Sequence, residues 1–126
     1  MNYRTPLARV RGLGSAKSGT RHWWLQRLTA VALVPLSLWF VAALVSIAGA
    51  EHAMVVDWLG SPLSAVLASA FIVAIFYHAQ LGVQVVVEDY VHTEWLKLTA
   101  IVLTKLAAML LAGASLFAVL RIAFAT

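Results

Sequence analysis

Three long stretches of this chain hold almost no charge, and they decide what it is able to fold into. Residues 28–48 carry no formal charge, residues 58–87 contain no Asp, Glu, Lys or Arg, and residues 98–120 contain only Lys105. A helix that crosses the hydrocarbon of a bilayer needs about 20 mainly apolar residues. Backbone polar groups in lipid must pair internally, so only helices and closed barrels cross it. Strand-like alternation is absent, and three segments cannot close a barrel. The sequence therefore predicts an all-α integral membrane protein with three spanning helices, near 24–49, 61–87 and 97–122.

Composition supports this reading. The 126 residues are 63% hydrophobic and 11% charged, with a mean hydropathy of +0.91. Soluble domains carry about a quarter charged residues, and a disordered chain would not keep so much apolar surface in water. One small unit fits the length. We expect a single domain over 1–126, with a basic segment 1–21 ahead of a transmembrane bundle 22–126. The chain has no cysteine. That excludes disulfides, thiolate zinc sites, iron–sulfur clusters and covalently attached c-type haem.

The positive charge is uneven. Arg4, Arg9, Arg11, Lys17, Arg21 and Arg27 precede the first acid, Glu51. A basic tail is compatible with nucleic acid, but here it abuts an apolar run and reads as an orientation signal. No nucleic-acid partner is expected. The N-terminus should stay in the cytoplasm, the loop 49–60 should lie outside, the loop 88–96 should return inside, and the C-terminus should end in the periplasm. Trp23, Trp24 and Trp95 would mark the inner interface, and Trp58 the outer one. Gly49, Gly60 and Pro62 punctuate the first loop, and Pro35 falls inside the first helix, where it is able to kink it. The first apolar run is too long, and its polar lead too extended, for a secretory signal peptide. The Arg-rich, acid-poor start resembles a mitochondrial transit peptide. Without a clear cleavable presequence, a bacterial inner membrane is the expected location, with the mitochondrial inner membrane as the alternative.

A few residues are not explained by apolarity. His78 lies about nine residues, or roughly 14 Å, from the inner end of the second helix. An ionisable group at that depth usually faces a bundle interior and carries function, although an interhelical hydrogen bond would also hold it. Ala70, Ala74 and Gly82 share its face and would let something broad approach, either a helix or a porphyrin. Imidazole is a standard axial ligand of haem iron. Leu81 and Gly82 stand where a zinc or di-iron site would want further ligands. Asp89 follows on the same face about 16 Å away, with Glu88 and Tyr90 beside it at the membrane edge. A phenol there is able to donate to a carbonyl oxygen, and an acid to tune it; the plainer readings are a solvated helix end and an interfacial anchor. At the inner end of the first helix, Arg21 reads as a snorkelling side chain. The deeper Arg27, with His22 near it, suits pairing with carboxylates such as haem propionates. Lys105 is expected to snorkel to the cytoplasmic interface, with a propionate or an inter-subunit acid as alternatives. Gln80 and Gln84 give no reading.

Two stretches resemble a known family. They are the run Ser18-Gly19-Thr20-Arg21-His22-Trp23-Trp24-Leu25-Gln26-Arg27-Leu28-Thr29-Ala30, and His78-Ala79-Gln80-Leu81-Gly82 followed by Glu88-Asp89-Tyr90-Val91. Their order and spacing are similar to those of the smaller hydrophobic membrane anchor of succinate dehydrogenase, respiratory complex II. The resemblance implies that His78 is one axial ligand of a b-type haem, with the other on a second, companion anchor chain. It implies that Tyr90 hydrogen-bonds a carbonyl oxygen of ubiquinone beside Asp89, and that Arg27 and His22 lie near the propionates and the quinone pocket. Such a chain holds no succinate site and no catalytic residue of its own. Flavin (FAD) and iron–sulfur clusters sit on partner subunits, a flavoprotein and an iron–sulfur protein. A fumarate reductase anchor and a non-redox structural or transport subunit are the alternatives.

Overall fold

The structure, a computed structural model, describes residues 3, 5–10, 12 and 19–125. Arg4, Arg11 and Lys17 of the basic segment lie outside the described residues. A short helix α1 spans Pro6–Val10, α2 spans Gly19–Ile47, α3 spans His52–Gly60, α4 spans Pro62–Tyr90 and α5 spans Glu94–Phe124. No strand occurs among the described residues. Helices α2, α4 and α5, of 29, 29 and 31 residues, are long and apolar enough to cross a membrane. The chain is a multi-pass membrane protein.

The spans run longer than the charge pattern suggested. Helix α2 starts five residues before 24, and α4 continues through Glu88 and Asp89 to Tyr90. The reason is that interfacial backbone still gains by closing its own hydrogen bonds, whether or not the side chain is polar. Pro35 stays inside an unbroken α2. Gly49, with φ of +80°, takes the left-handed conformation that ends α2. The first loop is not irregular, as its residues 52–60 form α3. Ser61 then holds an extended conformation between two helices, and Pro62 opens α4 at a position where no N–H is needed. Only residues 91–93 join α4 to α5, so the two helices are antiparallel neighbours.

Helices α2 and α5 each pack along α4, and α3 packs on α4 and α5. Lipid offers no hydrophobic drive for helix association, so close approach of small residues matters most. Ser64, Ala65 and Ala68 are the buried residues of the half of α4 nearest α3. Ala65, Ala68 and Val119 form a cluster closed over by Trp39, Leu59, Ile72 and Ala123. Trp39 stacks on Trp58 with centroids 5.9 Å apart, and Phe40 on Phe71 at 4.7 Å. Each such aromatic pair contributes about 0.5–1.5 kcal/mol beyond area burial. All of this packing lies at the α3 end. Elsewhere most of the apolar surface of the spans is exposed, and lipid or partner chains must cover it.

Candidate functional site

The other end of the bundle, towards the α4–α5 turn, collects the polar side chains. His78 is half-buried on α4, and its Nδ1 lies 3.0 Å from Oγ1 of Thr29 on α2. Thr29 is placed by its own helix: its hydroxyl donates to the carbonyl of Leu25 at 2.7 Å, with the carbonyl of Gln26 at 3.1 Å. A hydroxyl has one proton, and carbonyls only accept. The Thr29 proton is therefore committed to its own backbone, and Oγ1 meets His78 as an acceptor. The tautomer that matches this contact has its proton on Nδ1 and its lone pair on Nε2. The hydrogen bond on one ring nitrogen fixes which nitrogen is able to bind a metal.

The small residues around His78 are divided between two jobs. Ala70 and Ala74 line an apolar groove of about 500 Å³, together with Leu28, Thr29 and Ala32 of α2. Gly82 instead lets α2 come close: a Cβ there would stand 4.0 Å from Nε2 of Gln26. One turn before Gln26 lies His22. His22 Nε2 and Gln26 Oε1 are buried with no hydrogen-bond partner among the described residues. An unsatisfied buried polar group costs about 1–3 kcal/mol, so both atoms are groups in want of a partner. Among the described residues no three His, Cys, Asp or Glu side chains gather to hold a metal ion. His78 is thus a single imidazole donor in a largely apolar setting, which would suit one contact from this chain to the iron of a porphyrin.

Arg27 and Arg21 are both exposed and point in different directions from α2. Arg27 is exposed, with its guanidinium carbon 5.5 Å from the centroid of the Trp23 ring. Arg21 lines a second cleft of about 520 Å³ between α2, α4 and α5, whose wall also includes His22, Gln80, Gln84 and Lys105. Lys105, an exposed side chain, also borders this cleft. Gln80 is buried at 7% exposure, and its Nε2 donates to Gln84 Oε1 at 3.1 Å; Gln84 Nε2 donates to Glu88 Oε1 at 2.8 Å. Sequence reasoning missed this ladder. The signal was the i, i+4, i+8 spacing of Gln80, Gln84 and Glu88, which puts three polar side chains in one row.

Asp89 and Tyr90 occupy the last turn of α4, where Tyr90 is 79% exposed. Neither side chain makes a hydrogen bond among the described residues. The phenol is held at a helix end, with Val91 N–H bonded back to the Val87 carbonyl at 2.9 Å, and is free to donate to whatever docks there. The structure thus brings His78 against Thr29, buries polar atoms of His22 and Gln26 one turn apart on α2, and leaves Arg27, Asp89 and Tyr90 on the surface.

The sequence profile of the succinate dehydrogenase/fumarate reductase transmembrane subunits matches residues 1–112. The succinate dehydrogenase hydrophobic membrane anchor subunit of Rickettsia bellii is 35% identical over 118 residues, which cover 94% of this chain and 94% of the relative. The anchor subunit of Paracoccus denitrificans is 31% identical over 90 residues, covering 71% of this chain and 70% of the relative. The succinate dehydrogenase membrane anchor subunit of Reclinomonas americana is 32% identical over 96 residues, covering 74% and 80%. No solved structure matches the chain.

Proposed function

Since this chain belongs to the family of succinate dehydrogenase/fumarate reductase transmembrane subunits, we propose that it anchors a succinate:quinone oxidoreductase and completes two of its sites. The first is the haem b site. His78 supplies one axial ligand through Nε2, and the companion anchor chain supplies the other. The observation that carries this reading is the Thr29–His78 pair, an interhelical hydrogen bond that engages Nδ1 and so turns Nε2 to the task of a ligand. Haem b at this point supplies a one-electron store between the soluble subunits and the quinone. His22 and Gln26 answer its polar edge with their unpaired atoms, and Arg27 adds positive charge on the same helix end.

The second site is for ubiquinone, the substrate. Tyr90 donates a hydrogen bond to a carbonyl oxygen, and does so more strongly as negative charge builds on that oxygen during reduction. Asp89, beside it, orients the phenol and its surrounding water. Reduction to ubiquinol takes up two electrons and two protons. The exposed position of Tyr90 at the α4–α5 turn supports proton entry from the aqueous side. The chain holds no succinate site. An iron–sulfur protein docks at this edge and a flavoprotein beyond it. The basic N-terminal segment supports a cytoplasmic N-terminus in a bacterial inner membrane.

The test is a reduced-minus-oxidised spectrum of the purified complex. A b-type band that vanishes in His78→Leu supports the ligand assignment, and a band that survives unchanged refutes it. A colourless wild-type complex without flavoprotein and iron–sulfur partners would favour the plain scaffold.

A further inference from the structure

The cleft between α2 and α5 shares His22 with the haem reading above, but its other polar groups, Arg21, Gln80, Gln84 and Lys105, are used by neither site, and its chemistry changes along its length. Arg21, His22 and Gln84 line one end, while Val73, Met109 and Ala112 line the other. The helix rise sets the depths. Gln84 and Gln80 lie about 9 and 15 Å in from Tyr90, Lys105 about 16 Å in from Glu94, and Ala112 about 27 Å in. Because α4 and α5 are antiparallel across a three-residue turn, Lys105 and Gln80 are nearly level. Lys97 pairs with Glu94 at 3.4 Å, but Lys105 has no acidic partner among the described residues. A basic group at that depth is costly unless something answers it. Side chains on a helix lean towards its N-terminus, so the Lys105 stem leans towards the Arg21 end.

The cleft is therefore an apolar trough with two basic side chains towards its membrane-edge end. Its volume of about 520 Å³ falls within the range of small-ligand sites, about 300–1,000 Å³. His78 is not part of its lining, and Gln80, which is, follows His78 by two residues, about 200° around α4, so the cleft opens on a different face from the imidazole. With the partner anchor on the His78 side, which is the one point taken from the proposed function, the cleft faces lipid. Basic pockets between spanning helices suit anionic headgroups.

We propose that the cleft binds an anionic phospholipid of the leaflet at the α4–α5 turn. Arg21 and Lys105 hold its head, and Val73, Met109 and Ala112 receive an acyl chain. The experiment is native mass spectrometry with lipid extraction on the whole complex, washed in mild detergent and then re-supplied with vesicles of phosphatidylglycerol or phosphatidylcholine. Wild type should retain phosphatidylglycerol in preference to phosphatidylcholine. Lys105→Gln should lower that retention about fivefold, the weight of one basic side chain at an anionic head, and Lys105→Arg should restore it. Ala108→Trp should expel the lipid by filling the trough with both basic groups still in place. Equal retention of the two lipids, or retention unchanged in Lys105→Gln, overturns the proposal. Recovery of free fatty acid in place of phospholipid, or a cross-link from Lys105 to an acid of a neighbouring subunit, overturns it as well. Haem spectra from the same samples keep the two ideas separate. Lipid loss in a complex without the b-type band would sink the haem assignment alone, while lipid retained in every variant of a haem-bearing complex would sink only this one.

Discussion

The two ends of the bundle use their residues differently. Around α3, side chains satisfy one another: small residues let α4 and α5 close up, Trp39 lies on Trp58, and Phe40 lies on Phe71. Around the α4–α5 turn, helices α2 and α5 leave a cleft over α4, and several polar atoms there have no partner among the described residues. His22 Nε2 and Gln26 Oε1 are orphaned, His78 offers a lone pair, and Tyr90 stands in the open. A chain that could pack one end well and leaves the other unsatisfied is incomplete by construction. Its missing partners belong at the unsatisfied end.

Substitutions at the two ends should therefore differ in kind. The largest effect is expected for His78→Leu, which should remove the b-type absorbance from the assembled complex altogether. A normal spectrum would erase the contrast. Tyr90→Phe should lower quinone reduction roughly 100-fold, as the loss of one donor does at comparable oxyanion sites, with assembly intact. Steady-state assays with a soluble quinone, on complex verified to hold all its chains, check this. Thr29→Val should leave the ligand but free its tautomer, weakening haem retention about 10- to 100-fold, as loss of an outer-sphere partner does elsewhere. Haem transfer to apomyoglobin measures it, and an unchanged rate would mean that Thr29 only fills space. At the closed end, Ala68→Leu should overpack the small-residue contact and cost about 1–3 kcal/mol, read as a lower thermal midpoint in detergent with the haem band unmoved. Phe40→Leu should cost least, about 1 kcal/mol for the lost stack.

The spans were legible because uncharged length is a direct physical demand of the bilayer. The ends were not, since a helix extends into the interface for the sake of its backbone, which composition does not report. Helix α3 was hidden for a similar reason: nine residues bounded by Glu51 and Gly60 read as loop when glycine and proline are taken only as breakers. His78 was visible as a polar residue out of place, and its partner Thr29 was not, because nothing local links residues 49 positions apart. The two arginines were assigned by depth alone. Direction around the helix was not read from the sequence: Arg27 stands over Trp23, and Arg21 borders the cleft. Gln80 and Gln84 passed unread, although with Glu88 they form a row at helical spacing.

One consequence follows from α4 being a single unbroken rod. The imidazole at 78 and the phenol at 90 are separated by twelve residues, about 18 Å along the axis, and by about 120° around it. No movement of a neighbouring chain is able to stretch that gauge, so any protein that touches both must be cut to it. Lengthening the rod by one residue between the two, for instance after Val83, would swing the phenol by about 100° while leaving every side chain chemically intact. Pigment and substrate would then be served by the same groups from incompatible bearings.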